Sequence, residues 1–350
     1  MKTINIKLLL FSLMISFLGF SQEKPEETKQ KGHLNLNKFR QMYQEFSSPN
    51  MFRTAAGAPG PAYYQQQADY KMEIELDDRN KKIYGNESII YTNNSPDNLE
   101  YLWVQLDQNV REKDSPSLEK DGNGARPFYR PSEFTDQFLN DPFDGGFNIE
   151  YVKDENGKSL SYIINQTMMR IDLPNALKSG EKISFSIKWW YNIQDHVNQD
   201  GRSGYESFKS DGNRSYIIAQ FFPRMAVYNE IEGWQNYQFW GDGEFALPFG
   251  NYEVKITVPS DHILDATGEL QNRKEIFSKE MMKRFNKAKK SYDKPVLIVT
   301  QIEAEQAEKG FSSNKKTWHF KAQNVRDFAF ATSRKFIWDM MAVKIGDRDV

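Results

Sequence analysis

Zinc-dependent hydrolysis carried on a helix needs two histidines four residues apart with a glutamate beside the first, so that both imidazoles share one face and the carboxylate can activate water. The 350-residue sequence has four histidines, His33, His196, His262 and His319, and no two of them lie within a helical turn. Any histidine-based site would have to be assembled from distant segments, so each histidine reads as an ordinary structural or surface residue. With no cysteine in the chain, a thiol nucleophile, a cysteine-ligated zinc, a disulfide framework and a lipid-modified cysteine anchor are all excluded.

Two other constellations could do chemistry. Asp136, Asp141 and Asp144, followed by Gly145 and Gly146, could hold a calcium ion through oxygen ligands, but the spacing is not that of an EF-hand loop. A solvated loop using Asp and Gly for turn geometry is the preferred reading. Phe128, Tyr129, Phe134, Phe138, Phe143 and Phe147 on the same stretch could stack on sugars or grip a peptide, or they could anchor the loop to a sheet, which is the commoner use of such rings. No glycine-rich phosphate loop and no Gly-x-Ser-x-Gly elbow occurs, so nucleotide chemistry and serine hydrolysis find no motif.

The elements that must position these residues are mostly strands. Tyr70, Met72, Ile74 and Leu76 alternate with Lys71, Glu73 and Glu75, the period of a half-buried strand. Strands over 87–93, 99–106, 147–153, 160–164, 168–173 and 183–191 follow, separated by turn residues, and further strands are expected at 216–222, 252–258, 296–302, 317–322 and 328–331. Trp189, Trp190 and Tyr191 end one of these runs, where large rings cover a sheet edge. The stretch 110–146 has no sustained period and reads as a long excursion over one face. Helices are expected at 34–46, where Leu36, Phe39, Met42, Tyr43 and Phe46 recur at three- and four-residue steps, over the basic run 274–290, and at the start of 333–345. The whole is mainly β: an antiparallel β-sandwich with one long irregular loop and a few peripheral helices.

Composition agrees. Lys plus Arg number 46 and Asp plus Glu 48, a formal charge of -2 that gives no long-range pull toward nucleic acid or anionic lipid. Aromatic residues make up 14% of the chain, far too many for a disordered protein. Lys2 and Lys7 precede an apolar run from Leu8 to Phe20, the order of a secretory signal peptide cleaved near Ser21 or Gln22. That run is too short to span a bilayer, so the mature protein is expected to be exported, periplasmic or secreted, with no membrane span. Residues 23–62 then read as a tether with its amphipathic helix.

Two stretches carry a family resemblance. They are Tyr216-Ile-Ile-Ala-Gln-Phe-Phe-Pro-Arg-Met-Ala-Val-Tyr-Asn-Glu230 and Gly243-Glu-Phe-Ala-Leu-Pro-Phe-Gly-Asn-Tyr-Glu-Val-Lys-Ile-Thr-Val-Pro259. With Asp69 to Gln108, whose strands end in Tyr101-Leu-Trp-Val-Gln-Leu-Asp-Gln108, they resemble the N-terminal domain of zinc aminopeptidases related to aminopeptidase N, best in an exported bacterial branch. The resemblance spans about residues 63–345. It implies a saddle-shaped sandwich over 63–332 that precedes a catalytic domain, with 333–350 opening the link to it. It also implies a peptide substrate, and zinc held by the full-length enzyme but not by this chain. Gln220 matches a glutamine that the family places where the sandwich meets the active-site cleft. Two residues on, most members carry a Glu or Gln that binds the substrate's amino group, and here the position is Phe222. The family's Gly-x-Met-Glu-Asn loop and His-Glu-x-x-His helix lie C-terminal to the sandwich, and neither motif occurs before Val350. The chain alone is therefore expected to be inactive. It reads either as the front of a larger peptidase or as a freestanding periplasmic module binding a peptide or glycan.

Overall fold

The alternation from Tyr70 to Leu76 folds into strand β1 (Gln67–Asp77), its even-numbered side chains turned inward from Ala68 to Leu76. The computed structural model describes residues 49–117 and 143–350, except 198–202, 242 and 244, together with 128, 130, 131, 134, 135 and 139. The expected signal peptide and 34–46 helix lie outside the described residues, as do Asp136, Asp141, Tyr129 and Phe138.

After β1 come β2 (Lys82–Thr92), β3 (Leu99–Gln105), a 3-10 turn at Asp107–Arg111, β4 (Asn148–Asp154), β5 (Tyr162–Asn165), β6 (Met168–Leu177) and β7 (Lys182–Asn192). Then follow β8 (Gly204–Ser207), β9 (Arg214–Ile218), β10 (Arg224–Met225), the small hairpin β11 (Tyr228–Asn229) and β12 (Gly233–Trp234), and β13 (Gly250–Pro259). The last part holds β14 (Ile263–Ala266), β15 (Glu269–Leu270), helices α1 (Arg273–Ile276) and α2 (Lys279–Ala288), β16 (Val296–Val299), α3 (Gln301–Ala307) and β17 (Lys315–Val325). It ends with β18 (Phe330–Ser333), β19 (Trp338–Met340), β20 (Lys344–Ile345) and β21 (Arg348–Asp349).

The fold is mainly β. A seven-stranded sheet runs in the order β15-β17-β13-β1-β2-β7-β4, and two four-stranded sheets, β10-β3-β6-β5 and β14-β18-β9-β8, share its core. The named strands pair antiparallel except at the centre of the large sheet, where β1 runs parallel to β13, Tyr70 opposite Tyr252 through Glu75 opposite Thr257. Period-2 patterning gives the face of each residue and leaves the partner strand open, so this parallel seam is new with the structure.

Trp189 and Tyr191 do not cover a sheet edge. Their strand, β7, lies between β2 and β4, and both rings are buried in the core, stacked on each other with Phe147 edge-on to each. Room for Trp189 comes from Gly85 opposite it: a Cβ there would stand 2.2 Å from the indole. Phe147 thus serves as an anchor, whereas Phe128 and Phe134 are exposed.

Four expected elements differ, the first being the 216–222 strand, which ends at Ile218. The basic 274–290 helix is broken at Phe277, which turns inward against Phe285 and Trp338, and Ser278 restarts it by accepting the Met281 N–H at 3.1 Å. The 296–302 strand ends at Val299, because Thr300 and Glu303 form a reciprocal capping box that opens α3. The stretch 333–345 does not begin as a helix: Trp338–Met340 pairs antiparallel with Val296–Val299, and Arg334 is tied to Asp78 and Asp261 at 2.9 Å each. Short apolar runs carry too little periodicity to separate helix from strand, and tertiary pairing decides them.

Candidate functional site

Gln220 stands just beyond β9, where the chain must leave the sheet. Its φ is 52°, in the left-handed region that non-glycine residues enter at a cost and that gathers at functional positions. Neighbours on both sides hold it there. Gln108 Nε2 donates to the Gln220 carbonyl at 2.8 Å, and the Ala219 N–H donates to Ser203 Oγ at 3.0 Å. Behind them Arg111 donates to Gln108 at 3.3 Å and, through Nε, to Gln194, whose amide in turn donates to the Ser203 carbonyl. The following residues are fixed in the core: Phe221 lies edge-on to Trp189, Phe222 and Phe330. Among the described residues no group hydrogen-bonds the Gln220 side-chain amide, which is left free on the rim of a hollow.

That hollow has about 260 Å³ of space and is lined by Ser203, Gln220, Arg224, Leu247, Arg326 and Asp327, with Ala219, Phe245 and Ala246 completing the wall. Its floor is an ion triad. Arg224 donates to Asp107 (Nη2 to Oδ2, 2.9 Å) and to Asp327 (Nη1 to Oδ2, 2.6 Å). Burial works against the guanidinium charge, yet the two carboxylates outweigh it and hold the Arg224 pKa above its ordinary value. Asp107 is sealed at 1% side-chain exposure, whereas Asp327 keeps 40%, so of the two carboxylates on one guanidinium it is Asp327 that reaches the hollow; burial raises its pKa against the pull of Arg224. The hollow therefore offers a ligand the side-chain amide of Gln220, the half-buried carboxylate of Asp327 and the guanidinium of Arg326.

Phe222 has no exposed surface. Its ring lies edge-on to Tyr70 and Tyr252, and Tyr70 Oη accepts the Met225 N–H at 2.9 Å. Phe222 thus braces the strand that carries Arg224 and presents nothing to a ligand. Asp107, Asp327 and Arg326 leave little mark in the sequence: Arg326 and Asp327 form a polar pair between strands Lys315–Val325 and Phe330–Ser333.

His33 lies outside the described residues, and His262 and His319 take structural places. His262 is fully buried with Nδ1 3.2 Å from Thr332 Oγ1, and burial, reinforced by the Arg334 charge, lowers its pKa to about 4. His319 Nε2 pairs with Glu253 at 3.0 Å on the outer face of the large sheet. Asp144 offers its carbonyl to Asn192 at 2.8 Å. Among the described residues no three His, Asp or Glu side chains converge as a metal site, so their chemistry does not fit zinc.

No protein-family model matches the chain, and no curated protein matches it. Among solved structures, the chain is similar to a mutant M1 zinc metallopeptidase from Deinococcus radiodurans bound to a Tyr-Ser-Ala substrate, at 10% identity and a TM-score of 0.42, covering 82% of this chain and 46% of that one. It is also similar to the M1 zinc metallopeptidase of the same organism, at 11% identity and a TM-score of 0.40, covering 82% of this chain and 45% of that one. The chain spans just under half the length of these solved structures.

Proposed function

We propose that this chain is the non-catalytic front region of an exported zinc metallopeptidase of aminopeptidase type, and that its hollow holds the amino end of a peptide. The observation that carries this reading is the free side-chain amide of Gln220, strapped in a left-handed backbone on the rim of a hollow that also presents Asp327. An amide both donates and accepts, so Gln220 can meet the first peptide group of an extended ligand from either side. The Asp327 carboxylate supplies the negative charge that an α-ammonium group requires, a task that the buried Phe222 cannot perform. Both stretches that resemble aminopeptidase N line the hollow, the first through Gln220 and Arg224, the second through Phe245, Ala246 and Leu247.

In this reading residues 1–22 are removed on export, 23–62 form a tether, 63–332 the sandwich, and 333–350 the start of the link to a catalytic domain beyond Val350. That domain supplies zinc and bond cleavage, while this chain positions the peptide. Among the described residues no helix is long and apolar enough to cross a membrane. The near-balanced charge makes a peptide, not a nucleic acid, the expected partner.

The test is the native product. An antibody raised to residues 63–345 is expected to detect an envelope species well above the 40.9 kDa of this chain. Its immunoprecipitate should release amino-terminal residues from peptides and lose that activity to a chelator. A species no larger than the chain, without peptidase activity, contradicts the reading and favours a freestanding binding module.

A further inference from the structure

A second hollow of about 200 Å³ adjoins the first, the two sharing Ala246, Leu247 and Arg326 as a common wall. Its lining is mixed: Tyr64, Tyr228, Pro248 and Phe249 form an aromatic and apolar wall, and the amides of Gln65, Gln66, Asn229 and Gln235 complete the rim. The arginine at its far end is committed: Arg53 pairs with the buried Glu230 and lies over the Tyr63 ring at 5.0 Å. The arginine at the shared wall is not. Arg326 is exposed and has no ion pair or side-chain hydrogen bond among the described residues. Its guanidinium lies over the Phe249 ring at 4.4 Å, a stacking that restricts the side chain while leaving its five N–H donors for a ligand.

Resting on the proposed peptide-holding role, we infer that Arg326 anchors the carboxylate end of a short peptide whose last side chain occupies the second hollow. Charge and shape both favour this. Asp327, paired on one side with Arg224, faces the first hollow, and Arg326 stands at the wall that hollow shares with the second, an order of charges that a zwitterionic peptide complements when its amino end lies by Gln220 and its last residue passes Arg326. A guanidinium can grip a carboxylate through two parallel hydrogen bonds, which an amide of the same shape cannot reproduce. The aromatic wall beyond Arg326 has no charge of its own and suits an apolar side chain. The ligand class is therefore oligopeptides of a few residues with a free C-terminus, and longer chains lose the anchor.

The experiment is calorimetric titration of the full chain with alanyl-alanyl-phenylalanine, its C-terminal amide and its N-acetyl derivative, repeated with Arg326→Gln and Phe249→Leu. Wild-type protein is expected to bind the free acid about tenfold more tightly than the amide. Arg326→Gln should bind both as weakly as wild type binds the amide, and Phe249→Leu should show reduced discrimination. Because Arg326 is exposed, the variant should keep the near-ultraviolet circular dichroism of wild type, which separates a lost anchor from a lost fold. Equal binding of acid and amide by wild type overturns the anchor. So does discrimination that survives in Arg326→Gln. A loss on amidation without any loss on N-acetylation keeps the anchor and refutes the amino-end reading, whereas no binding of any form refutes both.

Discussion

Arg224 and Asp107 lie 117 residues apart in sequence and meet beneath the hollow, with 6% and 1% of their side chains exposed. Such a pair is weak evidence for net stability, but removing one partner strands the other in a medium that cannot solvate it. Arg224→Met is expected to lower unfolding free energy by about 3–5 kcal/mol, read as a fall in urea midpoint at unchanged slope. Arg224→Lys should recover only part of this, since a single ammonium lacks the fork that serves Asp107 and Asp327 together. A loss below about 1 kcal/mol, the range of an exposed pair, would show that the triad is solvated.

Glu87 offers a pH test inside the core. Its carboxyl is fully buried without a hydrogen bond of good geometry, and burial, only partly offset by the nearby Trp189 indole N–H, raises its pKa well above the usual carboxylate value. The folded protein holds its proton more tightly than the unfolded chain, so the associated stability is complete below the unfolded pKa and is lost as pH rises toward the folded one. Relative to Glu87→Gln, wild type should lose stability as pH rises above 5, by at most about 1.4 kcal/mol per pH unit and only until the folded pKa is reached. Denaturant melts at pH 5, 6, 7 and 8 measure the difference, and parallel curves for the two proteins would contradict it.

His262 should act in the opposite direction. It is kept neutral in the fold with a pKa of about 4, lowered by burial and by Arg334, while the unfolded side chain titrates near 6.5. Its contribution is therefore present above the unfolded pKa and lost as pH falls through the folded one. Compared with His262→Gln, wild type should lose about 3 kcal/mol between pH 6.5 and 4. Chemical-denaturation curves across that range check it, and equal acid sensitivity in the two proteins would refute it.

Gly85 tests how tightly the large sheet is packed. A methyl group at this position must displace the Trp189 indole, which is itself fully buried. Gly85→Ala is expected to cost at least about 1–3 kcal/mol and to alter the near-ultraviolet signal of the tryptophans. An unchanged melting temperature would mean that the ring moves freely.

Much of the β framework is legible in alternation alone: β1, β7 and β13 each fall where polar and apolar residues take turns. The parallel seam between β1 and β13 is not, because a period of two encodes faces and leaves partners open. Helix α3 leaves a readable trace in Thr300 and Glu303, and Ser278 leaves one for the break before α2, but both signals sit beside short apolar runs that also suit strands. The stretch around Trp338 becomes a strand through its pairing with β16, a contact that no local pattern records. At the hollow, Gln220 is visible through the family resemblance. Asp107, Asp327 and Arg326 are invisible because their meaning arises from long-range contact, and ion pairs across 103 and 117 residues have no period to detect. Phe222 shows the converse: its position in the motif points to a ligand, and its burial gives it to the core.

The most direct measurement is the affinity of alanyl-alanyl-phenylalanine for wild type and for Gln220→Ala, a substitution that removes the amide and leaves the strapped backbone in place. Loss of hydrogen bonding to one neutral amide should weaken binding by about fivefold. N-acetylation of the peptide should weaken wild-type binding, because it removes the charge that faces Asp327. Unchanged affinity in Gln220→Ala, with unchanged affinity for the acetylated peptide, would show that the hollow does not hold the amino end of a peptide.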